Sequence, residues 1–129
     1  MDSGNGIPAH VLRFLEGNID TVAQLETLLM MSEGPDRNWL IADVASRNYV
    51  SEQRASDTLT ALRRRGLVSC VESPPCFRFD PASDEVRAVV ADLARCYQKN
   101  LSRVTEIIHA KPSASITEFA RAFDLKKDR

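Results

Sequence analysis

The 129 residues suit one domain with a core of its own, and 43% apolar with 27% charged residues excludes global disorder. Seventeen basic against eighteen acidic residues leave a formal charge of −1, which excludes a nonspecific polyanion binder but not a protein with one local basic face. No apolar run nears the ~20 residues of a bilayer span, residues 1–8 lack a secretion signal's basic start and apolar block, and three cysteines without a C-x-x-C pair suit reduced thiols in a cytoplasm.

Two glycines and an asparagine make the first seven residues a loose start. Pro8 suits the first turn of a short helix carrying Val11, Leu12 and Leu15, which Gly17-Asn18 closes. A stronger helix is expected from Asp20, as N-cap, towards Glu33, with Val22, Leu25, Leu28 and Leu29 on its apolar stripe. Gly34-Pro35-Asp36 breaks it, and Trp39-Leu40 is a short extended piece.

Helical spacing resumes at Ile41, Val44 and Ala45, and Asn48 is the expected left-handed stop. Val50 is an apolar plug. Ser51 caps a further helix with Ala55, Leu59 and Leu62 on one face, and Gly66 ends it. Residues 67–72 and 77–80 pattern as two short strands around the turn Ser73-Pro74-Pro75-Cys76. Asp80-Pro81 is expected to open one long helix over 82–110, ended by Lys111-Pro112. Ser115-Ile116-Thr117-Glu118 is a capping box for a last short helix with Ile116, Phe119, Ala120 and Phe123 on one face.

The order helix, tight turn, helix, Gly-Leu-Val, hairpin resembles the winged helix-turn-helix superfamily, in particular small bacterial transcriptional regulators of the MarR-like sort. The resemblance spans residues 20–80 and rests on Ala45, Val50-Ser51, Ala55, Leu59, Leu62 and Arg65-Gly66-Leu67-Val68. Small Ala45 and Ala55 let two helices cross closely, Val50 fills the corner, and Gly66 reverses the chain into the hairpin. It implies a mainly α fold with a small β-hairpin wing and a long C-terminal helix, and a DNA-binding function. Tyr49 stands where the superfamily often has Gly, so Asn48 is expected to take the strained conformation. The wing tip has no Lys or Arg and only Arg78 nearby, which suits a structural wing.

Rotation by about 100° per residue places Gln53, Asp57, Thr60 and Arg64 opposite the buried face of the second helix, flanked by Ser56 and Arg63. Gln and Arg can pair with base edges, and Ser51, Ser56, Thr60 and the arginines can hold phosphates. The candidate DNA-binding set is Ser51, Gln53, Ser56, Asp57, Thr60, Arg63, Arg64 and Arg78. A solvated face, with its arginines balancing the helix dipole, is the plain alternative.

In the long helix Val86, Val90, Leu93, Tyr97, Leu101, Val104 and Ile108 repeat with an eleven-residue period. Such a stripe runs along some 40 Å, more than one small body can cover, and a two-fold dimer seam is the expectation, with intramolecular packing as the alternative. Four segments follow: an arm and short helix (1–19), the winged helix-turn-helix (20–80), the long dimerisation helix (81–111) and a docking helix with tail (112–129).

No nucleophile triad, phosphate loop, carboxylate pair or metal-ligand spacing is present, so neither an enzyme nor a cofactor is expected. Cys70 and Cys76 flank the wing turn, a placement that suits either a thiol switch or ordinary core packing. Two functions fit. One is a homodimeric regulator reading double-stranded DNA. The other is an adaptor that binds a protein partner through the winged helix or the C-terminal Phe helix. Gln53, Thr60 and the arginine run favour the first; Asp57 and the uncharged wing tip favour the second.

Overall fold

In the computed structural model, which describes residues 7–72 and 75–110, α1 (Ala9–Asn18) begins after Pro8 and passes through Gly17 to stop at Ile19. Pro8, at φ −59° and ψ 148°, thus precedes the helix rather than forming its first turn. Val11, Phe14 and Leu15 are its buried face.

The cap of α2 (Val22–Glu33) is Thr21, not Asp20. Thr21 Oγ1 accepts the Gln24 N–H at 3.0 Å, while Gln24 Oε1 accepts the Asp20 N–H at 2.8 Å. Thr-x-x-Gln is a capping-box spacing, and it satisfies two amides where Asp20 would satisfy one. Asp20 instead receives the Arg65 guanidinium at 3.3 Å. Leu25, Thr27, Leu28 and Met31 are buried, and Gly34 ends the helix as expected.

After β1 (Trp39–Leu40), α3 (Ile41–Asn48) starts with Asp43 Oδ2 accepting the Leu40 N–H at 3.2 Å. The left-handed residue at its end is Tyr49, at φ 58° and ψ 43°, not Asn48. Tyr49 N–H donates to Ser46 O at 3.4 Å and Val50 N–H to Ala45 O at 3.0 Å, the pair of bonds of a Schellman stop. Asn48 stays helical, and its Nδ2 donates to Thr27 Oγ1 at 3.0 Å.

Ser51 caps α4 (Glu52–Arg64) by accepting the Arg54 N–H at 3.1 Å. Gly66, at φ 73°, closes the helix the same way, with its N–H on Arg63 O and that of Leu67 on Leu62 O. The hairpin β2 (Val68–Glu72) and β3 (Pro75–Phe79) follows, its base closed by Asp80 N–H on Leu67 O and Ala82 N–H on Gly66 O. Residues 73–74 of its turn lie outside the described residues. Strand β3 begins two residues earlier than the pattern predicts and ends at Phe79.

The antiparallel sheet has the order β1-β3-β2. Cys70 pairs with Phe77 and Val71 with Cys76. Because successive side chains alternate faces, Cys70 shares the inner face with Phe77 while Cys76 lies on the outer one. The two thiols therefore point apart, and a disulfide between them has no geometric basis.

The long helix is two helices, α5 (Asp84–Lys99) and α6 (Leu101–His109), interrupted at Asn100 with φ −132° and ψ 46°. Asparagine is a weak helix former, and the apolar spacing runs through it without a change of phase. Ser83, not Asp80, is the cap of α5, its Oγ accepting the Val86 N–H at 3.2 Å.

Val90, Leu93, Val104 and Ile108 are buried within the chain itself, α5 packing on α1 and α2, and α6 on α5 and α2. Val86 and Tyr97 are half-buried, and Leu101 is exposed. The chain's own body thus covers four of the seven stripe positions, and Val86, Tyr97 and Leu101 are the ones it leaves partly or wholly open. His10 Nε2 and Asp92 Oδ2, 2.8 Å apart, tie α1 to α5. No helix of the described residues is long and apolar enough to cross a membrane. The expected helix from Ser115 lies outside the described residues.

Candidate nucleic-acid interface

Helix α4 is held from beneath and left open above. Ala55, Thr58, Leu59 and Leu62 are its buried residues, and Ala45 of α3 and Ala55 are small enough for the two helices to cross closely. Val50, half-buried, packs under the turn that joins them. Glu52 stands in the first turn and Arg63 and Arg64 in the last, the arrangement that complements the helix dipole.

The opposite face carries the row the periodicity picks out. Gln53, Asp57 and Arg64 are exposed, and Thr60 is half-buried. On the flank, Ser56 is half-buried and Arg63 exposed. Gln53 and Asp57 are joined: Gln53 Nε2 donates to Asp57 Oδ1 at 2.9 Å. Ser51 is exposed, but its hydroxyl already caps the helix. Arg78 is exposed on β3, opposite Ser69, on the outer face of the sheet and away from the tip.

The three consecutive arginines do not act as one block. Arg65 turns back to donate to Gly17 O and to Asp20 Oδ2, tethering the end of α4 to the α1–α2 junction. Arg63 and Arg64 are both exposed in the last turn.

One residue that periodicity passed over joins the site. Arg54, exposed, lines a groove of about 470 Å³ between α2 and α4 together with Thr21, Gln24, Ser51, Gln53 and Asp57. Its place between the outer row and the buried face hides it from a one-face reading of the helix. Two further arginines have another use: Arg37 lies 3.6 Å and Arg47 5.7 Å from the ring centroid of buried Trp39. They shield the ring on the β1–α3 side.

Away from α4, Tyr97 donates its hydroxyl proton to Glu26 Oε2 at 3.3 Å. Burial first, then the negative charge of Glu26 and this hydrogen bond, push the phenol above its ordinary value, against a smaller opposing contribution from Thr105. Among the described residues, no group of three His, Cys, Asp or Glu side chains is placed to hold a metal ion.

A helix, a short strand, two helices crossing at a tight turn and a hairpin whose second strand pairs with the short strand define a winged helix-turn-helix, with α4 as the second helix of the motif. No protein-family model and no curated protein matches the sequence. Among solved structures the chain is similar to a point mutant of ZitR from Lactococcus lactis. The TM-score is 0.50 at 14% identity, covering 92% of this chain and 89% of that one. A MarR family protein from Bacillus stearothermophilus is similar at a TM-score of 0.49 and 15% identity, over 92% of this chain and 81% of that one. The multiple antibiotic-resistance repressor MarR from Listeria monocytogenes follows at 0.46 and 16%, over 92% and 86%. The winged helix-turn-helix resemblance read from the sequence holds at the level of the fold.

Proposed function

We propose that this protein is a sequence-specific DNA-binding transcriptional regulator that acts as a homodimer. The observation that carries the proposal is the outer row of α4, where Gln53, Asp57 and Arg64 stand exposed on the helix that a winged helix-turn-helix inserts into a major groove. Gln53 supplies a base-reading amide, Thr60 a hydroxyl, and Arg54, Arg63 and Arg64 the charge that holds phosphates. With a formal charge of −1 over the whole chain, that attraction is local to this face.

Reach is what supports a second copy. Thirteen residues of α4 span about 20 Å, enough for one half-site, and two-fold pairing doubles the sequence read. Exposed Leu101 and the half-buried Val86, Val89, Tyr97 and Ile107 are the apolar side chains of α5 and α6 that remain for that pairing.

One observation favours the adaptor reading instead. Leu40, Cys76 and Val71 are register partners in one row across the outer face of the sheet, with Leu40 42% and Val71 64% exposed. Such a row suits a protein partner better than a phosphate backbone.

The test is whether the purified protein retards DNA from upstream of its own coding sequence, at moderate salt and with unlabelled competitor DNA present. A regulator gives a discrete complex containing two protein copies. Absence of any retarded complex, on this DNA and on a pool of random sequences, overturns the proposal in favour of the adaptor.

A further inference from the structure

The hydrogen bond between Gln53 and Asp57 makes a stronger statement than either residue alone. A carboxylate only accepts, so the bond fixes which end of the Gln53 amide faces Asp57: Nε2 turns inward along the helix, 2.9 Å from Asp57 Oδ1. What the pair offers outward is then determined. Gln53 presents its Oε1 as acceptor and its second N–H as donor, and Asp57 presents its free Oδ2 as acceptor. Both side chains are exposed and line the groove between α2 and α4.

Two acceptors and one donor suit particular bases. In the major groove, adenine offers the N6 amine as donor beside N7 as acceptor, cytosine offers the N4 amine, guanine offers two acceptors, and thymine offers an acceptor and a methyl group. Oε1 and the second N–H of Gln53 match N6 and N7 of adenine. Oδ2 of Asp57 matches an exocyclic amine and repels the O6 and N7 of guanine.

Building on the DNA-binding reading above, we infer that the Gln53–Asp57 pair selects amino-bearing bases in each half-site, adenine at Gln53 and cytosine or adenine at Asp57, and that Asp57 excludes guanine from the position it faces. Asp57 thereby trades attraction for discrimination. Its charge weakens binding to every backbone, and in return it makes the wrong base costly. Arg54, one residue from Gln53 and lining the same groove, supplies the opposite charge that keeps such a helix on DNA.

The experiment uses the full chain and the DNA site selected from a random pool, with each base substituted in turn and affinity read by fluorescence anisotropy. The parent is expected to lose roughly tenfold or more in affinity when guanine replaces the base facing Asp57. Asp57→Asn, whose amide can donate to guanine, should reduce that penalty to within about threefold. Asp57→Ala should bind all sequences more tightly and discriminate less, and Gln53→Ala should lose the preference for adenine. Selected sites with guanine at these positions, or an Asp57→Asn variant that still refuses it, overturn the inference while DNA binding stands. If no site can be selected at all, the DNA-binding reading falls with it. Thermal melting of each variant accompanies the titrations, since both side chains are exposed and their replacement should leave the fold intact.

Discussion

Asn48 at the end of α3 and Thr27 in the middle of α2 are joined by a 3.0 Å bond from Nδ2 to Oγ1, across 21 positions of sequence. Thr27 is 1% exposed, one of only two buried polar residues among those described. The pair fixes where α3 ends relative to α2, and so where the turn into α4 begins.

Asn48→Ala should therefore leave the Thr27 hydroxyl without this partner and destabilise the protein by about 1–2 kcal/mol. Thr27→Val with Asn48→Ala should recover part of the loss, because no buried hydroxyl is then left unmatched. Urea unfolding of the two single variants and the double variant measures the coupling. Strictly additive losses would show that the bond contributes nothing.

Tyr49 holds φ at 58° while its side chain is 94% exposed, so it bears the left-handed conformation and gains little packing in return. Left-handed backbone costs a residue with a Cβ about 1–2 kcal/mol, part of which glycine's unfolded-state entropy takes back. Tyr49→Gly should stabilise by about 0.5–1 kcal/mol and raise Tm by a few degrees. Tyr49→Ala, which keeps the Cβ, should not. Equal melting of the two variants would mean the turn carries no such strain.

Much of this architecture is legible in the residue pattern, and the places where it is not have physical causes. Gly34-Pro35 and Gly66 mark helix ends because no competing structure suits them, and Ser51 is the cap in both pattern and structure. Asn48 misleads because its intrinsic tolerance of left-handed backbone is outweighed by a distant partner, Thr27, that no local pattern reveals. Asp20 misleads likewise, since Arg65, 45 positions on, takes its carboxylate. The break at Asn100 is invisible because Tyr97, Leu101 and Val104 keep helical spacing across it. The outer row of α4 is readable from periodicity. The Gln53–Asp57 bond that couples two of its members, and the place of Arg54 beside them, are not.

Tyr97 gives a prediction in pH. Its folded-state value lies above the ordinary 10, raised mainly by burial and then by Glu26. A raised folded value means the protonated phenol is favoured in the folded state. Its contribution is fully present below pH 10 and is lost as pH rises through the folded value. Stability of the parent should thus fall with pH above 10 more steeply than that of Tyr97→Phe, measured by unfolding at fixed ionic strength. Parallel profiles for the two proteins would place the phenol in an ordinary aqueous environment.

The central claim, that the outer face of α4 meets DNA, is tested most directly by a salt titration of binding to the selected site and to a scrambled one. The parent should show log K falling linearly with log salt, and a tighter hold on the selected DNA at every salt concentration. Arg64→Ala should weaken both DNAs alike and make the salt slope shallower by about one for each phosphate contact removed. Gln53→Ala should leave the slope unchanged and cost about 1–3 kcal/mol on the selected site alone. Binding to selected DNA that survives both substitutions with its slope and preference intact would contradict the account, because a surface other than α4 would then be reading the sequence.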